Sequence, residues 1–213
     1  MSKTSQNSNQ VSTQWVRYNA VNLENSSKKK LEDLKVDLKK IGLSEGTVRI
    51  IIDTLEKKRS AVIEKCAQIE FVVGQIPMIP VIPAGWMHLG LLAGMLSHKG
   101  KNGSTSIYEN AVDSLDRLSE PYWMIGAYNG TTNNRQMKML GIKDCHRLDM
   151  FEVLNFAKYA NLKNNIYAMS SILKFSDCQV PCLDISNNPK LIAVDLRKVE
   201  MTPDNIVFCL YRV

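Results

Sequence analysis

Cysteine and histidine are the residue types in this chain that could carry nucleophilic or metal chemistry. The five cysteines are Cys66, Cys145, Cys178, Cys182 and Cys209. Cys178 and Cys182 are closely spaced, and the adjacent pair Cys145 and His146 lies upstream. These four residues supply the number of soft ligands that a structural zinc ion needs. The favoured interpretation is that the cysteines act as small apolar residues in the core, so the sequence predicts no metal and no cofactor.

A catalytic thiol is the second chemistry that these residues allow. Cys145 is followed by His146 and Arg147, and positive neighbours lower the pKa of a thiol. Because adjacent side chains rarely meet, the base for Cys145 would be His88 or His98. His88 lies in an apolar stretch, where a core role is the alternative. The chain has no serine hydrolase, zinc protease, dinucleotide-binding or kinase signature. The catalytic candidates are therefore Cys145, His146 and His88, with His98 as the other possible base.

The net charge of +6 is concentrated near the N-terminus. Residues 1–60 contain 12 Lys or Arg and 7 Asp or Glu, whereas the rest of the chain contains 15 and 14. A basic excess is typical of proteins that meet nucleic acid, anionic lipid or acidic partners. The residues predicted to contact a polyanion are Lys28, Lys29, Lys30, Lys39, Lys40, Lys57, Lys58 and Arg59.

Two amphipathic helices carry these cations. Between residues 28 and 43, apolar residues at Leu31, Leu34, Leu38 and Ile41 repeat at helical spacing. A second helix is predicted from about residue 47 to 69, after a short turn, so the two form an antiparallel hairpin. The leucine stripe could pack on the second helix, or it could pair with another copy of the chain and produce a homo-oligomer. Alternatively, the basic run Lys57-Lys58-Arg59 in the second helix forms only a solvated face.

The remainder of the chain mixes strands and helices. Residues 71–83 contain three prolines, Pro77, Pro80 and Pro83, spaced three residues apart. This spacing predicts an edge strand or a buried extended link. Residues 121–128 read as a strand followed by an Asn129-Gly130 turn. Asp149 with Glu152 three residues later predicts a capped helix start. Three short strands are predicted in the last third, near 182–185, 191–196 and 206–213.

The apolar segment from Phe71 to Ser97 lacks charged residues and exceeds the roughly 20 residues needed to cross a bilayer. Prolines interrupt its first half, and the remaining part, Ala84–Ser97, is too short to span, so a buried segment is favoured. The N-terminal residues are polar and lack the apolar core of a signal peptide. An odd number of irregularly spaced cysteines favours a reducing, cytoplasmic setting.

Several short motifs resemble those of a bacterial domain family of unknown function. In that family a helical segment leads to an Ile-Pro strand, a Met-containing helix, a Gly-Lys-Gly-type loop and a Pro-Tyr strand. The domain ends with a Val-Pro-x-Leu stretch, a short Pro-Lys-Leu segment and a late cysteine. The matching residues here are Val81-Ile82-Pro83, Met95, Gly100-Lys101-Asn102-Gly103, Pro121-Tyr122, Val180-Pro181-Cys182-Leu183, Pro189-Lys190-Leu191 and Cys209.

The resemblance covers residues 45–213 and implies a bacterial cytosolic α+β domain, without an activity. The chain departs from the family at Trp123 and at Ala127-Tyr128-Asn129, where the family carries an acidic strand end.

The sequence thus predicts an α+β fold with a disordered tail over residues 1–25, a helical hairpin over 26–70 and a mixed, mostly antiparallel body over 71–213. The leading functional hypothesis is a binding module whose basic hairpin, within residues 26–60, contacts nucleic acid or an acidic protein. The alternatives are a small-substrate enzyme with a Cys/His pair in the body, and a module that self-associates through the hairpin.

Overall fold

The computed structural model describes most of the chain outside its N-terminus and one long internal segment. The described residues are 14–72, 75, 77–83, 85–86, 111–113, 118–128, 130–143, 145–160, 164–173, 178–185, 190–202 and 205–213. The predictions that concern His88, His98, Met95 and the loop at residues 100–103 lie outside these ranges.

An antiparallel helical hairpin precedes a strand-rich body, as the sequence predicts. Helix α1 spans Ala20–Lys40 and helix α2 spans Glu45–Ala67. The start of α1 corrects the predicted tail and helix boundary, because the Asn19 side chain accepts from the amide of Asn22 and caps the helix earlier. Gly42 ends the first helix with a φ of 87°, a conformation that favours glycine.

The apolar stripe of α1 packs inside the chain. Leu31, Leu34 and Leu38 are buried, and Ile41 packs against the same core. The facing residues of α2, among them Ile51 and Leu55, are also buried. The stripe therefore packs on α2 within the chain, and self-association through the hairpin stays a prediction.

The body contains short antiparallel sheets. Strand β1, Trp15–Val16, pairs with β2, Phe71–Val72, so the first apolar cluster is anchored on the body. A four-stranded sheet has the order β3-β5-β11-β6, a three-stranded sheet has the order β10-β9-β7, and β4 pairs with β8. The bounds of these strands are β3 Ile79–Val81, β4 Ala111–Asp113, β5 Tyr122–Tyr128, β6 His146–Arg147, β7 Ile166–Tyr167, β8 Ser171–Leu173, β9 Gln179–Asp184, β10 Lys190–Asp195 and β11 Val207–Arg212.

Two further helices belong to the body, α3 at Gly130–Leu140 and α4 at Met150–Tyr159. Helix α3 begins at Gly130, where the sequence predicts a turn. The predicted cap of α4 is confirmed, since Asp149 and Glu152 form a reciprocal capping box. The edge position predicted for the proline-rich strand is also confirmed by β3, where Pro80 needs no ladder donor.

The hairpin and the body share one core. The indole nitrogen Nε1 of Trp123 on β5 donates to the carbonyl oxygen of Leu55 at 2.7 Å. On the other side of β5, a Cβ on Gly126 would lie 3.1 Å from the ring of Phe156, so a glycine lets α4 approach the sheet closely. The sheet thus holds α4 in a defined position. None of the described helices is long and apolar enough to cross a bilayer.

Candidate functional site

His146 and Glu152 form a close polar pair between the sheet and helix α4. His146 is the first residue of β6, and Glu152 lies in the first turn of α4. Nε2 of His146 lies 2.9 Å from each carboxylate oxygen of Glu152. The imidazole side chain is 19% exposed, whereas that of Glu152 is 1% exposed. The pair therefore connects a buried carboxylate to a group at the surface.

The Glu152 carboxylate is held by two further donors. The backbone amide of Asp149 donates to Oε2 at 3.2 Å, which is one half of the capping box. The hydroxyl of Tyr122 on β5 donates to Oε1 at 3.0 Å. A buried carboxylate is costly unless donors surround it. These contacts offset that cost and fix the orientation of both oxygens.

Cys209 completes the cluster. It pairs directly with His146 in the antiparallel register of β11 and β6, which places the two side chains as cross-strand neighbours. The pairing of β11 with β5 shifts register between Cys209 and Tyr211, a bulge next to the cluster that bends the strand. A nitrogen of His146, an oxygen of Glu152 and Sγ of Cys209 all lie within 4.8 Å of one another.

Burial dominates the electrostatics of the cluster. Burial, together with the Glu152 carboxylate, raises the pKa of Tyr122, so its hydroxyl stays a donor. Burial also raises the pKa of the Cys209 thiol well above its usual range, and the Glu152 charge acts in the same direction. The charge of Arg212 acts in the opposite direction but does not offset burial, so Cys209 is a neutral thiol and a poor nucleophile.

A cleft of about 480 Å³ opens beside the cluster. Its described lining residues are Ile142, Cys145, His146, Cys209, Leu210, Tyr211 and Arg212. The volume is within the range of small-molecule sites. Both candidates for catalysis that lie within the described ranges, Cys145 and His146, border this cleft.

The donor set of the cluster matches a borderline-soft divalent metal ion. Imidazole nitrogen, carboxylate oxygen and thiolate sulfur are the three ligand types that zinc uses. Three protein ligands beside an accessible space are typical of a catalytic zinc site, which keeps a position for water or substrate. Tyr122 and Asp149 would orient the carboxylate ligand through the hydrogen bonds they already make.

The zinc ligands proposed from spacing are not the ones that the structure brings together. Cys178 precedes β9 and Cys182 lies within it, in the three-stranded sheet. Among the described residues, neither belongs to a group of three possible ligands. Cys182 is buried among apolar neighbours, which agrees with the alternative role of a small core residue. His146 instead has Glu152 and Cys209 as neighbours.

The predicted polyanion-binding residues have varied surroundings. Arg59 is buried and lies 2.6 Å from both Glu24 and Glu56. Lys30 reaches inward to the carbonyl of Met78, and Lys58 to that of Pro121.

The other five predicted cations are exposed: Lys28, Lys29, Lys39, Lys40 and Lys57. Of these, Lys28, Lys39 and Lys40 lie within 4 Å of acidic side chains. A polyanion-binding hairpin stays a prediction, with fewer available cations than the sequence suggested.

Sequence reasoning missed Glu152, Cys209 and Tyr122 as members of a site. Glu152 was identified only as a helix cap. Cys209 was named only among the five cysteines and in the family resemblance, and Tyr122 only in that resemblance. The capping-box signal was correct, but it gave no reason to place the carboxylate beside His146. The adjacency of Cys145 and His146 was the one local signal that marked this region.

Comparison with family models, curated proteins and solved structures finds no match for this chain. The resemblance to a bacterial domain family therefore stays a prediction.

Proposed function

We propose that this protein binds a divalent transition metal ion of the zinc class in its body and uses it on a small substrate in the adjacent cleft. The observation that carries the proposal is the convergence of His146, Glu152 and Cys209, whose ligand atoms lie within 4.8 Å of one another at the cleft. Like the sequence-based enzyme hypothesis, this proposal includes His146. It differs in that a bound metal ion, and not the thiol of Cys145, carries the chemistry.

The charge balance of the cluster supports a cation. A buried carboxylate and a buried thiol lie close together, and each is costly to ionise without a positive partner. A 2+ ion would balance the Glu152 carboxylate and a Cys209 thiolate, and the thiol proton would leave to solvent. The hydrogen bond between His146 and Glu152 would be replaced by their shared coordination.

The chemistry that such an ion supplies is polarisation of a bound oxygen and a lowered pKa of bound water. The residues of this chain would hold the ion in a fixed position beside the cleft. His146 presents its ring to the cleft from β6, Glu152 is fixed by Tyr122 and Asp149, and Cys209 is held by the bulged strand β11. None of the five cysteines forms a disulfide in the structure, which agrees with a reducing compartment, and we propose a cytoplasmic location.

A metal titration tests the proposal. The full chain is stripped with a chelator and titrated with Co²⁺, and thiolate-to-cobalt absorption is recorded. We expect one equivalent to bind with a thiolate band, and Zn²⁺ to displace it. A C209A variant is expected to lose the band, and E152Q to bind Co²⁺ at least about tenfold more weakly.

The matched control is C182A, because Cys182 is also a buried strand thiol but lies outside the cluster. It is expected to bind Co²⁺ as the wild type does. Circular dichroism of each variant checks the fold. The proposal fails if the folded wild-type chain does not bind Co²⁺ or Zn²⁺, or if C209A and wild type give the same spectrum.

A further inference from the structure

Arg212 is the one lysine or arginine among the described residues that line the cleft. It is the last residue of β11, it lines the cleft, and it lies opposite Met124 in the β11–β5 register. Its guanidinium carbon lies 6.0 Å from the centre of the Tyr122 ring. Tyr122 also donates a hydrogen bond to Glu152. Arg212 and the His146–Glu152–Cys209 cluster therefore contact the same tyrosine.

The charge of Arg212 is not neutralised within the described part of the chain. No described carboxylate lies within ion-pair distance of it, in contrast to Arg59, Arg135 and Arg197. No Asp or Glu is among the described lining residues of the cleft. A second cation, Lys65, lies over Tyr211 of the lining with its ammonium 5.8 Å from the ring centre. Within the described part of the chain, Arg212 lines the cleft and Lys65 lies beside it, so the charged side chains described there are positive.

We propose that the cleft takes a small anionic substrate, a carboxylate or a phosphate, through the guanidinium of Arg212. The planar fork of an arginine matches both groups with two parallel hydrogen bonds. The ring of Tyr122 limits the positions that the guanidinium can adopt, so less freedom is lost on binding. This inference rests on the proposed function for the reaction at the metal, and it adds the class of substrate.

Anion titrations test this inference on the full chain. Acetate, inorganic phosphate and the neutral analogue acetamide are titrated into cobalt-loaded and metal-free protein. Binding is followed by the visible cobalt spectrum and, in both forms, by backbone amide chemical shifts. We expect acetate or phosphate to bind at least about tenfold more tightly than acetamide, and the tighter of the two identifies the anionic group.

The variants R212Q and R212K isolate the guanidinium. We expect R212Q to weaken anion binding about tenfold or more, and R212K to recover part of that loss, with Co²⁺ affinity unchanged. The matched control is R197Q, an exposed arginine paired with Asp195 outside the cleft.

The inference is overturned if acetamide binds as tightly as the anions, if no anion binds, or if R212Q and wild type bind them equally. A chain that does not bind Co²⁺ but still binds anions through Arg212 refutes the metal proposal and leaves the anion site standing.

Discussion

The hydroxyl of Tyr122 donates a hydrogen bond to Oε1 of Glu152 across 3.0 Å, between an interior strand of the four-stranded sheet and helix α4. Both residues are buried. The same carboxylate caps α4 and faces His146. One contact thus links the position of a helix, the stability of a buried charge and the geometry of the candidate metal site.

Removing this donor is expected to weaken both stability and metal binding. Y122F keeps the ring but removes the hydroxyl that donates to Oε1 of Glu152, which costs about 1–3 kcal/mol of unfolding free energy. Metal affinity is expected to fall about tenfold to a hundredfold. Urea unfolding and a zinc competition assay measure the two effects. Y18F is the control, because Tyr18 packs on Phe71 through its ring. Equal stability of Y122F and wild type would contradict this role.

The five cysteines are expected to differ in reactivity. Cys66, Cys182 and Cys209 are buried, whereas Cys145 and Cys178 are partly exposed. Burial raises the pKa of Cys182 to about 12, and it also raises the pKa values of Cys66 and Cys209. At neutral pH an aromatic disulfide reagent should therefore modify Cys145 and Cys178 rapidly and the other three slowly. Mass spectrometry identifies the labelled sites, and rapid modification of Cys209 in the folded chain would contradict the structure.

Lys30 is expected to impose a pH dependence on stability. Its ammonium lies inside the hairpin–body junction, near Cys66 and the Tyr159 ring, and burial lowers its pKa to about 8. Between that value and its ordinary pKa of 10.5 the folded chain binds fewer protons at this site than the unfolded chain. The contribution of Lys30 to stability therefore increases as pH rises through this window, by up to about 1.4 kcal/mol per pH unit.

The Lys30→Met variant isolates this effect, because it removes the titrating amine and retains an apolar stem. The raised pKa values of Cys66 and Tyr159 act in the opposite direction at high pH, and they remain in the variant. The free energy of unfolding of wild type minus that of Lys30→Met is expected to rise from pH 7 to pH 10 in urea titrations. A difference that stays constant with pH would show that Lys30 titrates normally.

The hairpin hypothesis makes a separate prediction about polyanions. If the exposed face of the hairpin binds nucleic acid, the triple variant K28Q/K29Q/K57Q should weaken binding of a single-stranded RNA at about 50 mM salt. The control K138Q/K143Q/K198Q removes the same charge from exposed positions in the body. Fluorescence anisotropy measures both. Absence of RNA binding by the wild type at low salt, or equal losses in the two triple variants, would refute the hypothesis.

Arg59 is expected to behave as a structural residue and not as a binding residue. R59Q removes the ion pairs to Glu24 and Glu56 and should lower the free energy of unfolding by about 1–3 kcal/mol. The exposed neighbour Lys57 provides the contrast, since K57Q should change stability by less than about 0.5 kcal/mol. Chemical denaturation of both variants checks the difference. Similar stabilities would mean that the ion pairs of Arg59 contribute little to the free energy of unfolding.

Local sequence patterns predicted the parts of the fold that depend on near neighbours. The helical repeat of Leu31, Leu34 and Leu38, the capping pair Asp149 and Glu152, and the alternating strands at the end of the chain each express a contact within a few residues. Such contacts can be recognised from residue type and spacing alone. The start of α1 was missed because Asn19 is a cap without an apolar repeat immediately after it.

The site itself was decided by tertiary structure. His146 and Cys209 meet because β6 pairs with β11, and Glu152 meets Tyr122 because α4 packs against β5. No local pattern encodes these encounters, since strand order and helix placement follow from burying apolar faces across the whole chain. The sequence by itself therefore determined an α+β chain with a helical hairpin and a capped helix near His146. The side chains that meet in the His146–Glu152–Cys209 cluster were decided only by the tertiary structure, in which β6 pairs with β11 and α4 packs against the sheet.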